Sequence, residues 1–179
     1  MARAPLSLKA RAIGLLAQRE HSRVELRRKL LRIEQQRVRR AAAGAPADDD
    51  GCGGNDGDDP SVVEDAAAAG EAAVDALLDA LAADGYLDET RFVESRLHVR
   101  AGRFGAQRIQ QELARHGLRL DTEQQAALRS TELERAREVW LKRFGAEPSR
   151  DAAEQARQAR FLLARGFATD VVRRLLRTA

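Results

Sequence analysis

The 179-residue chain is 33% charged and only 4% aromatic, with abundant Ala, Leu, Arg, Glu and Gln. Such unbranched side chains lose little rotamer freedom in a helix, so the composition predicts helices and little or no sheet. The single Cys52 excludes an internal disulfide, no apolar run approaches the ~20 residues of a membrane span, and no signal-peptide core follows the basic N-terminus, so a soluble cytoplasmic protein is expected.

The formal net charge of +3 conceals blocks of opposite sign. Residues 1–40 carry 12 basic and 3 acidic side chains (+9), whereas residues 41–90 carry 14 acids and no Lys or Arg (−14). Residues 91–119 return to 7 basic and 2 acidic (+5), and residues 120–179 hold 12 and 9 (+3). Arginine dominates the bases beyond the first block, and its planar fork suits carboxylate or phosphate. The blocks suit an anionic partner; solvated helix faces are the alternative.

Ser7 is placed to cap a first helix with Leu8, Ala12, Leu15 and Leu16 on one stripe, ending near Arg19. Ser22 and Glu25 form a capping box for a second helix, which turns Leu26, Leu30 and Ile33 inward and Arg23, Arg27, Arg28 and Arg32 around the rest. The short hinge resembles helix-turn-helix DNA readers, but no recognition helix follows, and a plain helical hairpin is the preferred reading. Residues 41–60 are low in complexity and read as a flexible acidic linker. A calcium loop counted from Asp48 has Gly53 at its sixth position, but Asp59 rather than glutamate at its twelfth, so that pattern fits only in part.

Beyond Pro60, a second capping box, Ser61 with Glu64, opens a helix to about Ala83 whose core side is Val74, Leu77, Leu78 and Leu81. The next helix starts after Asp88 and carries Phe92, Val93, Leu97 and Val99 among Arg91, Arg96 and Arg100, until Gly102 and Gly105 break it. From Ala106 to about His116 a helix buries Ile109 and Leu113 and exposes Arg108, Gln111 and Arg115. A helix from Asp121 to about Ser130 meets a fresh cap at Thr131 and Glu134, after which Leu133, Ala136, Val139, Trp140 and Phe144 pack inward up to Pro148. Helices over about 150–165 (inward Ala152, Ala156, Ala159 and Leu163) and 170–177 (inward Val172, Leu175 and Leu176) complete the chain.

One piece of punctuation recurs three times. Leu81, Leu113 and Leu162 each stand four residues before a glycine (Gly85, Gly117 and Gly166), and an apolar residue (Tyr86, Leu118 or Phe167) follows. This predicts a helix that stops at a left-handed glycine, with the next residue folding back onto the last turn. A fixed offset of 83 also aligns Ser22 with Gly105, Leu26 with Ile109 and Leu30 with Leu113. Repeated helical units that bury their faces against neighbours form arrays.

Catalytic signatures are absent. His21, His98, His116 and Cys52 do not stand at metal-ligand spacing, there is no phosphate-binding glycine loop, and GRFG at 102–105 is too short to count as one. Ser22 beside His21 is better read as a helix cap than as a nucleophile. Trp140 and Phe144 are read as core rather than as a base-stacking platform. No enzyme, metal or cofactor is expected.

The stretch GYLDETRFVESRLHVRAGRFGAQRIQQEL closely resembles the central signature of the RecX family, bacterial modulators of the RecA recombinase. LLAQREHSRVELRRKL and ARFLLARGFATDVVRRLL resemble its N-terminal and C-terminal repeats. The resemblance implies an all-α protein of three tandem three-helix repeats (1–83 with the insert, 84–130 and 131–179) in an elongated, curved array. It implies a non-catalytic monomer that binds RecA–single-stranded-DNA filaments and inhibits their ATPase, strand-exchange and coprotease activities. The positions matching the central motif are Asp88, Arg91, Phe92, Arg96, Arg100, Gly105, Ile109, Glu112 and Leu113, with Gly105 shaping the turn. The candidate partner-binding residues, for RecA or DNA, are Arg23, Arg27, Arg28, Arg91, Arg96, Arg100, Arg103 and Arg108. The alternative is a sequence-independent nucleic-acid binder acting without RecA, and a third reading is a helix-turn-helix regulator.

Overall fold

The computed structural model describes residues 6–43, 60–145 and 151–178. Among them are nine helices and no strand, so the fold is all-α. The acidic segment over 44–59, with its partial calcium-loop pattern and Cys52, lies outside the described residues, as do Pro148 and the side chains of Ser61 and Glu64. The chain divides into two units, Met1–Glu89 and Thr90–Ala179.

The first unit holds α1 (Leu8–Leu16), α2 (Arg23–Ala43) and α3 (Pro60–Ala83). Ser7 Oγ accepts the Ala10 N–H at 3.2 Å, and Ser22 Oγ accepts the Glu25 N–H at 3.1 Å, so each serine satisfies a backbone donor left over at a helix start. Pro60 is the first residue of α3, where its missing N–H has no partner to lose. α2 continues through Ala41–Ala43, the beginning of the stretch expected to be linker, because alanine is the strongest helix former. Ala12, Leu26, Leu30, Val74, Leu78 and Leu81 are fully buried together, with Leu87 close behind. Each large member of such a core contributes roughly 1.5–3 kcal/mol through burial.

At the boundary begins α4 (Glu89–Ala101), followed by α5 (Ala106–Ala114), α6 (Thr122–Ser130), α7 (Glu132–Phe144), α8 (Ala152–Ala164) and α9 (Thr169–Thr178). Two cores form here. Phe92, Val93, Ala106, Ile109, Leu113 and Leu128 make the first; Ala136, Val139, Trp140, Leu162, Phe167, Val172 and Leu175 make the second. Trp140 is a core residue: its indole N–H donates to the buried Gln158 Oε1 at 2.9 Å.

The three glycine stops share one geometry. Gly85, Gly117 and Gly166 have φ of 74°, 75° and 80°. Behind each, a backbone N–H returns to the leucine four residues before the glycine: Tyr86 to Leu81 O (2.9 Å), Leu118 to Leu113 O (3.0 Å) and Phe167 to Leu162 O (3.3 Å). In the first copy Tyr86 is exposed and Leu87 enters the core instead. The 83-residue offset also holds in three dimensions, since Ser22 and Gly105 directly precede α2 and α5, and all six aligned residues are buried.

Other positions depart from expectation. Val99 is 58% exposed, because α4 turns its Phe92–Val93 edge inward. The break at Thr131 is present without a threonine cap: its hydroxyl donates back to Ala127 O at 3.2 Å and accepts from Arg135 Nε at 3.2 Å. On α8 the inward residues are Gln158 and Leu162, with Ala159 and Phe161 half-buried, while Ala152, Ala156 and Leu163 face solvent. Short alanines mark no face strongly, and Trp140 requires a polar acceptor on the buried one.

Candidate functional site

The candidate site rests on a joint within the second unit. Gly105 N–H donates to Arg165 O (3.0 Å) and Gln107 N–H to Gly166 O (3.2 Å), so the start of α5 lies directly against the turn between α8 and α9. A Cβ on Gly105 would meet Gly166 O at 2.1 Å, and one on Gly166 would meet Arg108 Cβ at 2.5 Å. Gly105 has φ −75° and ψ 167°, which any residue adopts. Close approach of two backbones, rather than turn shape, therefore demands glycine there, whereas the equivalent Ser22 keeps its side chain.

The first turn of α7 locks this joint. Buried Glu132 accepts the Ala106 N–H at the start of α5 (3.1 Å) and the Ala168 N–H just before α9 (3.3 Å), both on Oε1. One turn later, Arg135 donates to Ala101 O at the end of α4 and Phe104 O just beyond it (2.9 Å each), and to Leu128 O (2.6 Å) in α6. An anion thus serves two helix N-termini and a cation two C-terminal regions, each matching the sign of the helix dipole. Burial lowers the Arg135 pKa, and the charge of Glu132 opposes that shift.

On this frame α4 and α5 carry a cluster of arginines. Glu112 receives Arg100 through Nε and Nη2 (3.2 and 3.1 Å), with Arg96 Nη1 at 3.6 Å. The Arg96 guanidinium lies 5.1 Å from the centre of the Phe92 ring. Three guanidiniums surround Phe104: Arg108 at 5.5 Å, Arg100 at 5.6 Å and Arg165 at 6.0 Å, distances typical of cation–π contact. Arg165 also donates to Arg103 O at 3.3 Å. A shallow groove of about 310 Å³ is lined by Arg100, Arg108, Gln111, Glu112, Arg115 and His116.

Of the sequence-predicted residues, Arg96, Arg100 and Arg108 meet in this cluster, Arg103 stands exposed beside it, and Arg91 is exposed on α4. Arg23, Arg27 and Arg28 belong to the first unit. There Arg23 pairs with Asp79 (2.7 Å), and Arg27 forks onto Asp75 (2.7 Å) and Glu71 (3.0 Å). The hydrogen bonds that Arg27 donates to Asp75 and Glu71 raise its pKa, and those to Asp75 lower that carboxyl's. Arg28 is exposed. Phe104, Arg115 and Arg165 complete the cluster; of these the sequence marks only Arg115, as exposed at the end of α5, and the position of Arg165 next to the third repeated glycine.

His21 is buried, with Nδ1 3.2 Å from Glu25 Oε2. Desolvation lowers its pKa against the pull of Glu25. Burial acts to raise the Glu25 pKa, but the hydrogen bond from Arg19 and the neighbouring positive charges outweigh it and hold the carboxyl at about 2. With Ser22 occupied as a cap, this corner is structural. Among the described residues no group of three or more His, Cys, Asp or Glu is placed to hold a metal ion, and no helix is long and apolar enough to cross a membrane.

The regulatory protein RecX of Ralstonia pickettii is 46% identical over 176 residues, covering 97% of this chain and 89% of the relative. This chain belongs to the RecX family. Regulatory protein RecX of Leptothrix cholodnii is 46% identical over 180 residues (99% of this chain, 92% of the relative), and that of Herminiimonas arsenicoxydans 41% over 179 (99% and 95%). The family profile described as RecX, third three-helix domain, matches residues 130–176, which cover α7, α8 and most of α9. The chain is thus a RecX-type regulator, and the glycine–glutamate joint lies where that domain meets α5.

Proposed function

We propose that this RecX-family chain is a non-catalytic, monomeric cytoplasmic regulator that binds RecA–single-stranded-DNA filaments and inhibits ATP hydrolysis, strand exchange and coprotease action. Its working parts are three tandem three-helix repeats, over 1–83, 84–130 and 131–179. The observation that carries this reading is the arginine cluster of α4 and α5, in a chain whose relatives are regulators. Arg100, Arg108 and Arg165 surround one phenylalanine, and Glu112 holds Arg96 and Arg100 in place. Arginine beside aromatic surface is the composition of binding hot spots, and pre-positioned guanidiniums lose less freedom on binding.

The test is the double variant R103E/R108E, which leaves Arg96 and Arg100 on Glu112. It is expected to lose inhibition of RecA while keeping the helical circular dichroism of the parent. Full inhibition by that folded variant would remove the cluster from the interface.

A further inference from the structure

The second unit displays a further arginine surface, on α9, that the reading above does not use. Arg173, Arg174 and Arg177 are exposed, whereas Val172 and Leu175 from the same helix are buried in the core. With Asp170 the three arginines line a shallow groove of about 330 Å³, three cations against one anion, net +2. Spacings of three and four residues place Arg173, Arg174 and Arg177 on neighbouring positions of one helix face.

The two arginine surfaces differ in their apolar content. On α4, Val99 is 58% exposed one turn after Arg96, and Phe104 lies among the guanidiniums of the groove. Protein interfaces combine arginine with aromatic and apolar anchors in this way. Among the described side chains of α9 the exposed ones are Thr169, Asp170, Arg173, Arg174 and Arg177, with no large apolar side chain among them. A surface whose exposed side chains are mainly guanidiniums, with Val171 and Leu176 half-buried beneath them, matches a phosphodiester backbone, whose recognition is mainly electrostatic and independent of sequence.

We infer that α9 is a separate contact for the single-stranded nucleic-acid backbone, while the α4–α5 cluster contacts protein. This division of labour rests on the filament-binding reading; the α9 assignment itself does not. The joint gives the two surfaces a fixed relation. Glu132 Oε1 holds the start of α5 and the residue before α9 at 3.1 and 3.3 Å, so both arginine-bearing helices depart from one carboxylate. A partner that presents protein and phosphate at a set spacing is thereby engaged at two points of one rigid frame.

The test is anisotropy of a labelled oligothymidylate strand, titrated at several NaCl concentrations with the full chain, R173Q/R174Q/R177Q and R103Q/R108Q/R115Q. RecA ATPase inhibition is measured on the same preparations. Each phosphate contact on a single strand contributes a slope of about −0.7 in log K against log salt, so removal of three flattens the slope by about 2. The α9 variant is expected to show that flattening, and the R103Q/R108Q/R115Q variant to keep the parent slope while losing inhibition. The assignment is overturned if the parent does not bind the strand at low salt, if the α9 variant keeps the parent slope, or if both variants lose it equally. Should the parent fail to inhibit RecA while the slopes behave as stated, the filament reading falls and the α9 contact stands.

Discussion

Replacing Gly105 with alanine adds one methyl group where two backbones meet. The new Cβ would lie 2.1 Å from Gly166 O and 2.3 Å from both Gly166 C and Phe167 N. All three are backbone atoms, so no flexible side chain can swing aside, and ordinary contact requires a separation more than 1 Å greater. Opening the joint that far breaks Gly105 N–H to Arg165 O (3.0 Å) and Gln107 N–H to Gly166 O (3.2 Å). Each such bond is worth about 0.5–1.5 kcal/mol and overpacking costs about 1–3 kcal/mol. Against these stands a gain of about 0.4–1 kcal/mol from a less flexible unfolded chain, available because φ is −75°. The net expectation is a loss of roughly 2–4 kcal/mol, which for a unit of this size lowers the melting temperature by about 10 °C or more. Gly102→Ala is the internal control, since a Cβ there meets nothing within 4 Å and is expected to be neutral or slightly stabilising. Thermal unfolding by circular dichroism compares the two. G105A melting with the parent would refute the close-approach argument.

Glu132→Ala strips the acceptor from one buried and one half-buried N–H group and is expected to cost about 2–4 kcal/mol in urea denaturation, with Glu132→Gln closer to the parent because its amide oxygen can still accept. Because burial lowers the His21 pKa, the unfolded chain binds more protons below its ordinary value of 6.5, so stability falls as pH drops through that region. His21→Gln is expected to remove that part of the pH dependence; an unchanged profile would show that His21 does not titrate across unfolding. Glu25, held at about 2 against an ordinary 4.5, supports folding fully above 4.5, and that support is lost as pH falls towards 2, so Glu25→Gln is expected to flatten acid denaturation over that window. Trp140→Phe leaves Gln158 Oε1 buried without its donor and is expected to cost about 1–3 kcal/mol, read from the denaturation midpoint.

The helices and their stops were legible because they depend on residues close in sequence. Ser7, Ser22 and Asp121 start helices by local bonds, and Gly85, Gly117 and Gly166 end them with the same backward bond. The correspondence of Leu26 to Ile109 and of Leu30 to Leu113 in the repeat was legible for a similar reason, since apolar spacing carries the repeat. The joint was not. Glu132 is an ordinary acidic residue of a helix first turn until Ala106 and Ala168, 26 and 36 positions away, arrive at its carboxylate. Gly105 suggested a turn because glycine commonly marks one, while its real constraint comes from Gly166 across the unit. Eight candidate arginines followed from charge and resemblance. Their sorting into Arg23 and Arg27 on the acids of α3, and Arg96 and Arg100 on Glu112, required side-chain positions.

Direct action on a RecA filament is tested by RecA's single-stranded-DNA-dependent ATPase rate, measured against rising amounts of this protein with an excess-DNA control. The rate is expected to fall at substoichiometric protein and to stay low when DNA is added. An unchanged rate, or a fall that extra DNA reverses, would contradict direct action.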